Sequence, residues 1–98
     1  MSTSIKFDKF KNMLLLAGFE CQLEKNKTCY RLNNVGFEFS SVGVVVFVER
    51  SPVRNQALWS ETEFTNIADK EIFVKRLFDK PLLHDSDIRS IRLSLGVD

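Results

Sequence analysis

Apolar residues recur along this chain with a helical period, then a strand period, then a helical period again. Phe7, Phe10, Leu14 and Ala17 are spaced by three or four residues, one stripe of a 3.6-residue repeat. The spacing predicts a helix over 7–17, with Asp8 or Ser4 as N-cap and Gly18 just past its end. Leu15 and Leu16 widen the apolar face, so this helix is expected to be well buried.

From Phe19 the repeat becomes two. Phe19, Cys21 and Leu23 alternate with Glu20, Gln22 and Glu24; a polar turn follows over Lys25–Thr28, and Tyr30 and Leu32 resume the alternation. This is a hairpin pattern. Asn33-Asn34-Val35-Gly36 and Ser41-Val42-Gly43 read as further turns, with Phe37 and Phe39 between them. The run Val44–Val48 is strongly β-prone, and Ser51-Pro52 closes it. Val53–Gln56 reads as loop, and Ala57–Phe64 fits a strand or a helix. A helix is expected from Thr65 or Asp69 to Phe78, ending before Pro81. A last short helix, capped by Asp85 or Ser86, carries Ile88, Ile91 and Leu95 on one side and stops at Gly96. The order α-β-β-β-β-(β)-α-α and the short turns predict one α+β domain over 1–98. Its sheet would be antiparallel, with four or five strands, an N-terminal helix and two C-terminal helices.

The wholly apolar strand has a further implication. Val44, Val46 and Val48 take one face, Val45 and Phe47 the other, so both faces want cover. Helices 7–17 and 69–78 can cover one. Either the short last helix wraps behind the sheet and completes a monomer, or the other face is left to a second copy or a partner; the expectation is a homodimer.

Composition narrows the function classes. With 98 residues, 44% hydrophobic and nine Phe, the chain can form one aromatic-rich core. A formal net charge of +1 gives no electrostatic case for direct nucleic-acid or anionic-membrane binding. No apolar run is long enough to span a bilayer and no export signal is evident, so a cytoplasmic protein is expected.

Reactive side chains are sparse. A nucleophile needs a nearby base, yet the only histidine, His84, lies far along the chain from Cys21 and Cys29. A two-residue hairpin turn would send the two thiols to opposite faces, where they neither chelate nor bridge; a three-residue turn would reverse that. The lone His and the spacing of the two Cys lack the paired ligands of a zinc site. Asp85-Ser86-Asp87 reads as a helix N-terminus rather than a Mg²⁺ site. No cofactor and no catalytic residue are expected.

One stretch resembles a known class. Residues 84–98, with Ile88-Arg89-Ser-Ile91-Arg92-Leu-Ser-Leu95-Gly96, resemble the opening helix of a helix-turn-helix repressor domain. The resemblance implies a dimerisation or sensory domain of such a transcription regulator or antitoxin. It carries no base-reading helix, because the given residues stop where that helix would begin.

The candidate contact residues are Trp59, Glu61 and Glu63, which would share a strand face as an aromatic anchor rimmed by acids, and Arg89 and Arg92, off the apolar stripe of the last helix. The reading that follows is a non-catalytic protein-binding module acting by surface occlusion. Small inhibitors that phages or mobile elements direct at host defence, and immunity proteins, work this way. A regulator's dimerisation domain is the alternative.

Overall fold

The computed structural model describes residues 7–67 and 69–97. Five strands, β1 Glu20–Glu24, β2 Lys27–Leu32, β3 Val35–Ser40, β4 Gly43–Arg50 and β5 Val53–Trp59, form one antiparallel sheet in chain order. Helix α1 (Asp8–Leu16) precedes them; α2 (Glu61–Thr65), α3 (Lys70–Arg76) and α4 (Asp85–Leu95) follow, with a 3₁₀ turn at Leu77–Asp79. This is the expected α+β layout with five strands.

Every hairpin closes through two residues: Lys25-Asn26, Asn33-Asn34, Ser41-Val42 and Ser51-Pro52. Val53–Gln56, expected as loop, is the first half of β5, because Ser51-Pro52 turns the chain straight back onto β4. Even-length turns keep one parity across the sheet. Tyr30, Phe37, Val46 and Ala57 therefore pair across neighbouring strands on one face, and Phe39, Val44 and Trp59 do likewise.

All helices pack on that face. Phe7, Phe10 and Leu14 of the predicted stripe are buried, as are Phe73 and Leu77, and Ile88, Ile91 and Leu95 of α4 join the same core. Phe10 sits among Phe64, Phe73 and Phe37 at ring separations of 4.8, 5.3 and 5.8 Å, in edge-on or tilted contacts that suit aromatic quadrupoles. Helix α1 is less buried than expected: Leu15 is exposed and Leu16 is 90% exposed. Gly18, with φ of +103°, takes the left-handed position after α1 that favours glycine. The N-cap position of α1 is Phe7, which makes no side-chain cap; Ser4, the other candidate, and Asp98, at the end of the repressor-like stretch, lie outside the described residues.

The opposite sheet face carries the one large apolar ring, Phe47, and it is closed within the chain. Phe47 is fully buried although no helix crosses it. Its ring lies directly on Gly36 of β3, where any Cβ would collide with it. Above it the Arg31 and Arg54 guanidinium carbons stand 4.9 and 3.8 Å from the ring centre. Arg31 pairs with Glu49 at 2.9 Å, and Arg54 with Glu38 at 3.3 Å. A charged roof thus covers Phe47, whereas Val45 on the same face stays half-buried beside the exposed Leu58. Part of the cover that the predicted homodimer would supply is therefore provided within one chain.

Helix α4 is fixed by Asp87, a carboxylate with no exposed surface. It accepts from the His84 backbone N–H at 3.0 Å, from Asn55 Nδ2 at 2.8 Å and from the Arg50 guanidinium. Burial alone pushes its carboxyl up, but these three donors outweigh it and hold the group below the usual carboxylate range. Arg50 also donates to Ser90 Oγ at 3.0 Å and the Ser86 carbonyl at 3.2 Å. The β4–β5 hairpin is thereby laced to the first turns of α4. The helix begins after His84, one residue earlier than the expected cap, and Asp87 closes its N-terminus.

Two outcomes are expected. Because the folded pKa of Asp87 lies below its unfolded value of about 4, its contribution is complete above that value and is lost as pH falls through the folded pKa. Urea unfolding of wild type and Asp87→Asn should therefore converge towards pH 2, with the wild type more stable at pH 7; parallel profiles would remove Asp87 from the pH dependence. Gly36→Val should cost about 1–3 kcal/mol or more through overpacking against Phe47, measured by the same unfolding.

Candidate functional site

The two termini of the helical layer meet over a depression. It is lined by Met13, Leu16 and Ala17 of α1, Leu32 of β2, and Leu93 and Leu95 of α4, with a volume of about 500 Å³. Leu93 is 66% exposed and Leu16 nine-tenths exposed. On the helical wheel Leu16 lies opposite Phe7, and Leu93 opposite Ile91, so neither can reach the core its helix packs on. A second depression of about 450 Å³ continues past Gly96 and Lys70 to Val74, the exposed Phe78 and Val97. A third, of about 460 Å³, adjoins through Met13 and Lys70 to Phe10 and Ile67. Exposed leucines on both rims of a concave apolar surface mark an interaction site more strongly than scattered apolar residues do.

Lys70 is at the junction of the three and donates to the Leu95 carbonyl at 3.1 Å, tying the start of α3 to the end of α4. Lys9, Lys75 and Arg92 stand on the same lining. Among the described residues, the ion pairs involve Lys27, Arg31, Arg50, Arg54 and Lys80, and none of the groove cations.

The sequence-predicted contact residues are not brought together. Trp59 is 2% exposed, which corrects the expectation of an aromatic anchor at the surface. Parity places it on the helical side, 5.2 Å from the Phe73 ring, with the Lys80 ammonium 4.7 Å above it. Glu61 and Glu63 do not share a strand face with it, because the strand ends at Trp59. Ser60 Oγ accepts from the Glu63 N–H at 3.1 Å, and the Glu63 carboxylate accepts from the Ser60 N–H at 2.9 Å. This reciprocal capping box starts α2 instead. The Ser60 amide, with Lys80 beside it, holds the Glu63 carboxyl below its ordinary range. Glu61 is half-buried in the first turn of α2. Arg89 is exposed one turn before Arg92, and Arg92 alone of the predicted set lines the groove. The Ile88/Ile91/Leu95 stripe is built into this core, so the repressor-like segment is here the helix that completes the α+β domain.

The reactive side chains remain apart. Cys21 is exposed opposite Tyr30; Cys29 is buried on the other face, as the two-residue turn predicts. Burial pushes the Cys29 thiol up, and burial with the neighbouring Cys21 thiol pushes the Tyr30 hydroxyl up to about 12. Among the described residues no group of His, Cys, Asp and Glu is arranged to hold a metal ion, and no helix is long and apolar enough to cross a membrane.

Comparison of the chain with protein-family models, with curated proteins and with solved structures gives no match.

Two measurements check this description. A thiol reagent at neutral pH should modify Cys21 in the native protein and Cys29 only after denaturation, read by mass spectrometry; equal rates would contradict the burial of Cys29. Trp59→Ala should cost about 3–5 kcal/mol of stability as a core truncation, where a surface anchor would cost little.

Proposed function

We propose that this chain is a non-catalytic protein-binding module that acts by occluding a partner's surface, and that the groove between α1 and α4 is its contact face. The observation that carries the reading is the pair of exposed leucines, Leu16 and Leu93, facing each other across an apolar concavity. Leu15, Leu23, Leu58 and Leu82 are exposed too, but Leu16 and Leu93 come from distant parts of the chain to line one depression. Each buried on binding would add roughly 1.5–3 kcal/mol, which supports a specific contact of modest size. Lys70 ties the start of α3 to the end of α4, which limits the backbone ordering left to be done on association. Occlusion needs no reaction chemistry of its own, in keeping with a small inhibitor or immunity protein.

The test is comparative capture from the source cells. Wild type should retain a partner in stoichiometric amount, and the double variant L16E/L93E should lose at least about tenfold in affinity, some 1.4 kcal/mol, with its thermal unfolding unchanged. A partner held equally by both proteins would move the contact face elsewhere.

A further inference from the structure

We infer that the groove takes an acidic amphipathic helix of a partner protein; this rests on the groove being the contact face. Three observations converge on that occupant. The first is charge. Lys9, Lys70, Lys75 and Arg92 line the connected depressions against only Asp69 and Glu71, and none of the four cations is ion-paired among the described residues. Asp69 is already engaged, accepting from the Ile72 N–H at 3.0 Å as the cap of α3. Among the described residues Lys27, Arg31, Arg50, Arg54 and Lys80 are ion-paired, while the other unpaired cations, Lys11, Lys25, Arg76 and Arg89, do not line these depressions. The groove therefore keeps a surplus of positive charge for an incoming ligand.

The second is the backbone. The walls are helix surfaces and helix ends rather than a free sheet edge, and the one strand that lines them, β2, is paired on both sides. A strand laid there would find no N–H or C=O ladder to pair with, so its own backbone would be buried unsatisfied. A helix brings its hydrogen bonds with it and needs only an apolar stripe, which is the helix-in-groove mode of recognition.

The third is shape. Leu95 and Leu32 form the floor below the rims of Leu16 and Leu93, and a flat bilayer surface reaches the rims but not the floor. The apolar floor likewise offers nothing to a phosphate backbone. An occupant with leucine-like side chains at i, i+3 or i+4 and i+7, and carboxylates flanking that stripe, satisfies floor, rims and cations together.

Two synthetic amphipathic helices test this. They share one leucine stripe, carry Glu or Lys on the flanks, and are long enough to be helical, roughly 15 residues or more. Amide shifts of the full chain locate binding and titration gives affinity. The Glu helix should shift residues 13–17 and 92–97 and bind at least tenfold more tightly than the Lys helix. That preference should shrink as salt rises and fall in Lys9→Glu/Lys75→Glu, both exposed positions whose change leaves the core intact. Equal binding of both helices in the groove would overturn the charge selection while leaving the groove as contact face. Shifts elsewhere, or none with either helix, would overturn the contact face itself. Self-association on light scattering that L16E/L93E abolishes, or groove shifts produced only by vesicles of phosphatidylcholine with phosphatidylserine, would assign the groove to a second copy or to a membrane and overturn the inference.

Discussion

A carboxylate cannot stay buried without partners, and that constraint decides where the last helix goes. Asp87 loses all contact with water. The only way to offset the desolvation is to place it where the His84 amide, Asn55 and Arg50 converge. Two of those donors sit on the β4–β5 hairpin, either side of its turn. Helix α4 therefore lands with one register on one end of the sheet, and its apolar stripe falls over β3 and β4 rather than elsewhere. Hydrophobic burial would accept several nearby positions; the ion pair with its hydrogen bonds accepts one. The exposed end of α4, with Leu93 beside Leu16, is set by the same registration.

The two faces of the sheet solve one problem by different means. On the helical side, aromatic rings interlock and exclude water. On the other, Phe47 is flattened onto a glycine and roofed by two guanidinium groups that are themselves held by Glu38 and Glu49. Planar, weakly hydrated guanidinium can lie on an aromatic face while its edge still bonds a carboxylate, which an ammonium does less well. Around Phe47 this side is thus polar at its surface and apolar one layer down, while Leu58 beside Val45 stays exposed.

Much of the fold was legible because its signals are local. The stripes Phe7/Phe10/Leu14 and Ile88/Ile91/Leu95 and the alternation through Phe39 each report a face, and two-residue turns carry that parity from strand to strand. Val53–Gln56 was misread as loop because its alternation pairs one valine with polar residues on an edge strand. Trp59 was misread because the alternation was continued past Ser60, where Ser60-Glu61-Thr62-Glu63 spells a capping box and turns the chain into a helix. The groove was hidden because neither of its rims is a motif. Leu16 belongs to the apolar run Leu14–Leu16 although it stands opposite Phe7, and Leu93 stands opposite Ile91 between the polar Arg92 and Ser94. An apolar residue on the wrong side of its own stripe is the signal that marks them. That the two rims adjoin follows from pairings across distant residues, Asp87 with Arg50 and Lys70 with the Leu95 carbonyl, that no local pattern contains.

The Asp87 contact also bears on how the protein is made. The sheet is complete at Trp59, but the helix that closes it ends at Leu95, 36 residues later. At ribosomal rates of about 5–20 residues per second, the nascent meander waits roughly 2–7 s for its lid. During that interval Val46, Val48 and the donors Arg50 and Asn55 lack the helix that covers them. The sheet is made of nearest-neighbour hairpins and forms early, whereas its cover joins residues far apart in sequence, as Arg50 and Asp87 are. A chain cut before α4 would keep the cover that α1 and α3 give but leave the β3–β4 part of the helical face open to water, so solubility turns on α4 as well as on the sheet.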